Sequence, residues 1–246
     1  MGFLKRFVFY IFFLFSLFSF EKTFSQGTSN KGTDFWLGYG THINHNGNAP
    51  ETMVVYITSD VNTTATVEVS ALAFSQVVPI TANVVSTVTI PLGAHLGVEG
   101  TSKMGIHITS LKPIIVYSHI YASSVSGATL VLPTNTLGKD YFSINYKQVS
   151  NQNNSASWFF VVAVEDNTQV EITPSQATQG GWVANTKYTV NLNKGEIYHV
   201  LGAYTNGNGT LGVDLTGSKI KSVSAAGVCK KVAVFSGSSK ISITKY

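Results

Sequence analysis

Cysteine and arginine are almost missing from this chain. Cys229 is the single cysteine among 246 residues, so no intramolecular disulfide can form, and stability has to come from a buried core. Arg6 is the only arginine, and it sits close to the start. Bidentate recognition of phosphate or guanine is mainly arginine chemistry, and the lysines are scattered apart from Lys230 and Lys231. No nucleic-acid partner is expected. No window keeps helical spacing, and neither a G-x-S-x-G elbow nor a phosphate-binding glycine loop with a basic partner occurs.

Long apolar runs are also missing, with one exception. Lys5 and Arg6 precede "FVFYIFFLFSLFSF", Phe7 to Phe20, and the polar "EKTFSQ" follows with small or short residues Thr23 and Ser25 before Gln26. That order is the order of a secretory signal peptide. The run is shorter than the roughly 20 residues a membrane-crossing helix needs. Residues 1–25 are therefore expected to be removed, leaving a secreted or cell-surface protein with no membrane span. No cysteine stands near the cut for lipid attachment. Removal takes the net charge from 16 − 12 = +4 to 13 − 11 = +2.

The remainder reads as strands. "TMVVYITS" at 52–59, "ATVEVS" at 65–70, "STVTIPL" at 86–92, "KYTVNL" at 187–192 and "KISITKY" at 240–246 alternate or are β-branched, with turn residues between them. A weak repeat aligns "VVYITSDVNTTATVEVS" from Val54 with "FVVAVEDNTQVEITPS" from Phe160, and each copy ends in a long apolar stretch, "GIHITSLKPIIVYSHI" or "GSKIKSVSAAGVCKKVAVFSGS". Within the copies "TVTIPLGAHLGV" is matched with "TVNLNKGEIYHVLG". The expected fold is all-β: two tandem β-sandwich-like units packed together, with almost no helix after the leader. The units are placed at 26–127 and 151–246, with a connecting β segment at 128–150.

In "NKGTDFWLGYG", residues 30–40, alternation puts Phe35, Leu37 and Tyr39 on one strand face and Trp36, Gly38 and Gly40 on the other. The first face is core. Above Trp36 the glycines leave room for another chain or a ring, so this strand either packs or forms an aromatic platform for a glycan or peptide. Trp36, Trp158 and Trp182 are the candidate ligand-binding residues, because tryptophan is enriched among binding hot spots. The Asn-rich loops at 41–51 and 148–157 are expected at an exposed edge.

No catalytic residue is assigned. His42 and His45, with Asp34 and Glu51 nearby, have the ingredients of a zinc site, but no second cluster closes the coordination, and no metal or cofactor is expected. His95, His107, His119 and His199 lie in or beside strands as partly buried polar groups. Asp60 and Asp166 head turns and are expected to cap them. Glu68 and Glu171 align in the two copies and are expected to pair with lysines, not to form the acid pair of a hydrolase. Cys229 is expected to be half-buried.

The ordered set "NKGTDFWLGYG", "VVYITSDVNTTATVEV", "KPIIVYSHI", "ATLVLPTNTLGKDYFSINY" and "FVVAVEDNTQVEI" resembles the N-terminal domain family of IgGFc-binding protein, which also occurs in surface and gliding-associated proteins of Bacteroidetes-type bacteria. The resemblance runs from Gly32 to about Ser239. It implies a non-enzymatic extracellular recognition or adhesion module, with a glycoprotein, a polysaccharide or another surface protein as partner. Members usually continue past the "VAVFSGS" strand into a cysteine-containing segment, which would offer Cys229 a partner. Two other readings stay open: a spacer or assembly unit of a larger surface protein, and a carbohydrate-active hydrolase.

Overall fold

β-Branched and aromatic residues suit a pleated, half-buried surface, and they set the strands. A computed structural model describes residues 29–43, 52–122, 125–223 and 228–242. The leader, His45, Glu51 and residues 243–246 of the last predicted strand lie outside these, and residues 240–242 are not strand. The strands are β1 (Gly32–Leu37), β2 (Thr52–Thr58), β3 (Thr63–Val69), β4 (Phe74–Ile80), β5 (Ser86–Thr89), β6 (Gly100–Ser102), β7 (Ile106–Ala122) and β8 (Val125–Val131). They continue with β9 (Asp140–Phe142), β10 (Ser157–Ala163), β11 (Thr168–Thr173), β12 (Tyr188–Leu192), β13 (Ile197–Leu201), β14 (Lys219–Val223) and β15 (Val232–Ser238). Short 3-10 turns supply the only helix among the described residues, and no described helix is long and apolar enough to cross a membrane.

One 17-residue strand organises the first unit. The first half of β7 pairs with β1 and β3, and its second half pairs with β2 and β8, all antiparallel. Two sheets result, β4-β3-β7-β1 and β5-β2-β7-β8. The change of partners falls between Ser110, opposite Ala65, and Ile115, opposite Thr58. Pro113, which has no N–H to give a ladder, lies in that stretch. Inward residues Phe35, Leu37, Val67 and Ile108 from one sheet meet Met53, Val55, Ile57 and Val116 from the other in a first core.

The second unit repeats this plan with sheets β15-β10-β13-β6 and β12-β11-β14-β9. Its core joins Phe159, Val161 and Ala163 to Val170, Ile172 and Ile220. β2, β3, β4 and β5 correspond to β10, β11, β12 and β13, while the two halves of β7 correspond to the separate strands β14 and β15. The aligned long apolar stretches are therefore one strand in the first copy and two in the second. The "TVNL" strand β12 is the counterpart of β4; the counterpart of β5 is β13.

A third apolar layer lies between the units. Trp36 and Leu96 meet Phe160, Val162, Val164, Ile197 and Ala233. β10 is consequently buried on both faces, which explains its nearly unbroken apolar sequence. β6 strengthens the join, because it pairs only with β13: Thr101 lies opposite Tyr198 and Gly100 opposite His199. Each large side chain taken from water into such a layer contributes about 1.5–3 kcal/mol.

The layer is tight enough to forbid side chains at its glycines. A Cβ on Gly40 would lie 2.6 Å from the Trp158 ring, whereas one on Gly207 would meet nothing within 4 Å. Gly40→Ala is expected to lower the unfolding free energy by about 1–3 kcal/mol through overpacking. Denaturant unfolding compared with Gly207→Ala, expected to change it by less than about 0.5 kcal/mol, checks this.

Candidate functional site

The face of β1 that the sequence left open is closed by the second unit. Phe35, Leu37 and Tyr39 point into the first core as alternation predicts. On the opposite face a Cβ at Gly38 would come within 2.7 Å of Ile197 and 3.2 Å of Phe160, and Gly40 faces the Trp158 ring. The ring that fills the room above Trp36 is thus the chain's own. Trp158 also donates its indole N–H to the carbonyl of Thr41 at 2.8 Å and stacks on Phe160.

Trp36 itself is only 7% exposed. His107 stacks on it with centroids 4.1 Å apart, and Lys194 lies over the ring at 5.8 Å. That separation suits a cation–π contact. The Lys194 turn can approach because Gly195, at φ +81°, carries no side chain; a Cβ there would stand 3.0 Å from the indole. His107 is held in turn by Asp34, with Nε2 to Oδ2 at 2.8 Å. That hydrogen bond, assisted by one from Thr134, lowers the Asp34 pKa despite burial. An Asp–His pair is part of a nucleophile-activating arrangement, but here the imidazole lies flat on Trp36 and the hydroxyl at hand, Thr134, bonds Asp34. The pair positions Trp36.

Two further imidazoles are held neutral beside this layer. His95 Nε2 accepts the backbone N–H of His42 at 3.0 Å. His199 is wholly buried, gives Nδ1–H to the Val98 carbonyl at 3.0 Å, and has no partner for Nε2 among the described residues. Burial first, and then a neighbouring histidine, pushes each pKa down to about 4. Protonating His95 would set an N–H against an N–H. Protonating His199 would place a charge among Trp158 and Phe160, whose rings meet it edge-on at 6.0 and 6.2 Å.

Trp182 is the candidate that lies away from this layer. It is half-buried on the β12 side of the second core and stacks almost parallel to Tyr188, at 4.4 Å and 1°, and to Tyr198, at 5.0 Å and 6°. Burial, reinforced by Glu99, pushes the Tyr198 hydroxyl up to about 12. Glu99 is fixed by Thr178 Oγ1 at 2.7 Å and the Leu201 N–H at 3.0 Å. The three tryptophans thus do not converge: Trp36 and Trp158 share the inter-unit layer, and Trp182 belongs to an aromatic stack elsewhere.

The other expected polar residues are engaged locally. Glu171 pairs with Lys187 at 2.8 Å, as expected for a solvent-face glutamate, while Glu68 meets Ser75 at 3.4 Å and not a lysine. Asp166 accepts the Lys194 N–H at 3.0 Å; Asp60 binds Lys31 instead of capping, and Ser59 accepts the Val61 N–H there. Thr41, His42 and Ile43 are buried, so the loop at 41–51 begins inside the structure and not at an exposed edge; residues 44–51 lie outside the described ones. In the loop at 148–157, Asn151, Asn153 and Asn154 are exposed, while Gln148, Ser155 and Ser157 are buried. Cys229 is half-buried. Among the described residues no group of three or more His, Cys, Asp or Glu could hold a metal ion.

Sequence reading missed Phe142, Ile144 and Tyr146, which stand 61%, 77% and 57% exposed. Their alternation in "DYFSINY" was the available signal.

The neutral histidines make stability depend on pH. Their folded pKa values lie below the ordinary 6.5, so the unfolded chain takes up protons first as pH falls. The unfolding free energy is expected to be full above about pH 6.5 and to decline down to about pH 4, by roughly 2–3 kcal/mol for each imidazole. Urea titrations across this range check the decline, and His199→Gln should flatten part of it.

Comparison with known proteins finds one relation. A family model described as IgGFc binding protein matches residues 127–246. The match takes in β8 to β15; residues 32–126, where the sequence resemblance also lay, are outside it. No curated protein and no solved structure matches the chain. The stretch from 127 to 246, which supplies β9 to β15 and the exposed Phe142, Ile144 and Tyr146, is the part of the chain that matches the IgGFc binding protein family.

Proposed function

We propose that the chain is a non-enzymatic extracellular recognition module whose ligand is a glycoprotein or polysaccharide. The observation that carries this reading is the match of residues 127–246 to a family described by binding. The local chemistry supports it. Carboxylates are taken up by lysines, hydroxyls, backbone N–H groups and one imidazole: Glu171 by Lys187, Glu99 by Thr178 and Leu201, Asp166 by Lys194, Glu196 by Asn193 and Asp34 by His107 and Thr134. Such contacts are those of turns and sheet faces. Asp34 is shifted downward by the His107 hydrogen bond, opposite to the raised pKa that the general acid of a carboxyl pair requires.

Of the three tryptophans, Trp182 is our candidate for ligand contact. Tyr188 and Tyr198 stack on it and hold it without consuming all of its surface. Rigid aromatics give large contact area at low entropy cost. Trp36 and Trp158 act indirectly, by fixing the second unit against the first.

A glycan array and mucin-type glycoproteins, probed with the purified protein, test the proposal. Selective binding is expected, weakened at least about tenfold by Trp182→Ala, which corresponds to about 1.4 kcal/mol. Trp182→Phe, which keeps a stacked ring, should retain most of it. Absence of binding by the folded protein, or equal binding by Trp182→Ala, would overturn the assignment.

A further inference from the structure

The segment Gly138–Tyr146 is the second copy of β1. "GTDFWLGYG" at 32–40 and "GKDYFSINY" at 138–146 align without a gap, matching Gly32 with Gly138, Asp34 with Asp140, Phe35 with Tyr141 and Trp36 with Phe142. The ladders agree. Phe35 and Val67 flank Ile108, and Tyr141 and Ile172 flank Ile220. Phe35 packs in the first core and Tyr141 against the second. β1 and β9 therefore hold the same edge position in their units.

Their outward faces differ in one respect. Positions 36, 38 and 40 are covered by Ile197, Phe160 and Trp158 of the second unit. The equivalent positions carry Phe142, Ile144 and Tyr146, and all three are exposed. Apolar or aromatic side chains thus stand at all three positions of a face left open among the described residues, apart from Lys219 Nζ, which lies over the Phe142 ring at 5.7 Å. An exposed aromatic and aliphatic cluster of this kind marks an interaction surface.

The covering face also has a counterpart in the first unit, where Val54 is buried, Tyr56 is half-buried and Tyr117 is exposed. Met53, Val55 and Ile57 point inward as Phe159, Val161 and Ala163 do, so Val54 and Tyr56 correspond to Phe160 and Val162. Across the ladders Phe160 lies opposite Phe235 and Val162 opposite Ala233, while Val54 lies opposite His119 and Tyr56 opposite Tyr117. Around Tyr56 this outer face is aromatic: His119 lies 6.1 Å from Tyr56 and 4.8 Å from Tyr121, and Tyr117 is exposed. Aromatic residues on an accessible sheet are the usual anchors of an interface.

We propose that a second copy of this chain docks head to tail, its β5-β2-β7-β8 outer face seated on Phe142, Ile144 and Tyr146 of the first. The contact repeats between chains the packing that joins the two units within one chain. It uses two different faces, so it is heterologous and leaves a free face at each end for further copies. It is independent of any glycan or glycoprotein ligand.

Sedimentation of the purified protein over a range of concentrations tests this. The wild type is expected to show a mass that rises with concentration past the dimer. Phe142→Glu and Tyr117→Glu should each weaken association at least tenfold. Mixing the two variants should restore a dimer and nothing larger, because one intact pair of faces remains. Ile144→Glu serves in place of Phe142→Glu if circular dichroism shows that variant unfolded. A monomer at every concentration would overturn the proposal. So would loss of association in Phe142→Glu alone, which would mean that the β9 face pairs with itself, or failure of the mixed variants to associate.

Discussion

A strand with apolar residues on both faces needs two layers to cover it, and β10 has two. One face closes the second core through Phe159 and Val161; the other presents Phe160 and Val162 to Trp36 of the first unit. Neither unit supplies both covers. The outer face of the β15-β10-β13-β6 sheet would expose a broad apolar surface without the first unit, and such surface is costly in water. The remaining features of the junction follow from this need. Glycines stand where the units touch, Lys194 and His107 enclose the indole, and β6 crosses over to extend the sheet.

The duplication explains how two similar sandwiches come to differ. Within the first, Pro113 lies where β7 leaves one sheet for the other without a break. The second copy makes the same journey with β14 and β15 as separate strands, and Cys229 lies just before β15. A continuous strand leaves less freedom between the sheets than two strands joined by a loop. The buried histidines at the junction add a chemical condition. His95 and His199 fit only as neutral rings, one as an acceptor and the other among aromatic edges. Joining the units therefore couples packing to protonation.

For function, the consequence is a division of labour among aromatics that look alike in sequence. Trp36 and Trp158 are structural because their faces are used inside the chain. Phe142 and Tyr146, less conspicuous than tryptophan, are the ones left in water. The match to the IgGFc binding protein family covers the half of the chain that carries them, which agrees with a binding role for the second unit's surface.

Local pattern alone determined most of the strands, the all-β class, the duplication and the inward set Phe35, Leu37 and Tyr39, because a period of two is a property of the backbone and needs no knowledge of neighbours. It stopped at the question of what lies beyond an outward face. Trp36 and Phe142 occupy equivalent places, yet one is buried and the other exposed. The difference comes from Phe160, Ile197 and Trp158, far along the chain, which cover only the first. Register was likewise beyond the sequence. Aligning Glu68 with Glu171 is a slip of two, since Glu68 lies opposite His107 in the row of Trp36 whereas Glu171 lies opposite Lys221 in the row of Asp140. A shift of two keeps every side chain on its proper face, so hydrophobic alternation cannot detect it; only the cross-strand hydrogen bonds of the tertiary structure distinguish the two registers.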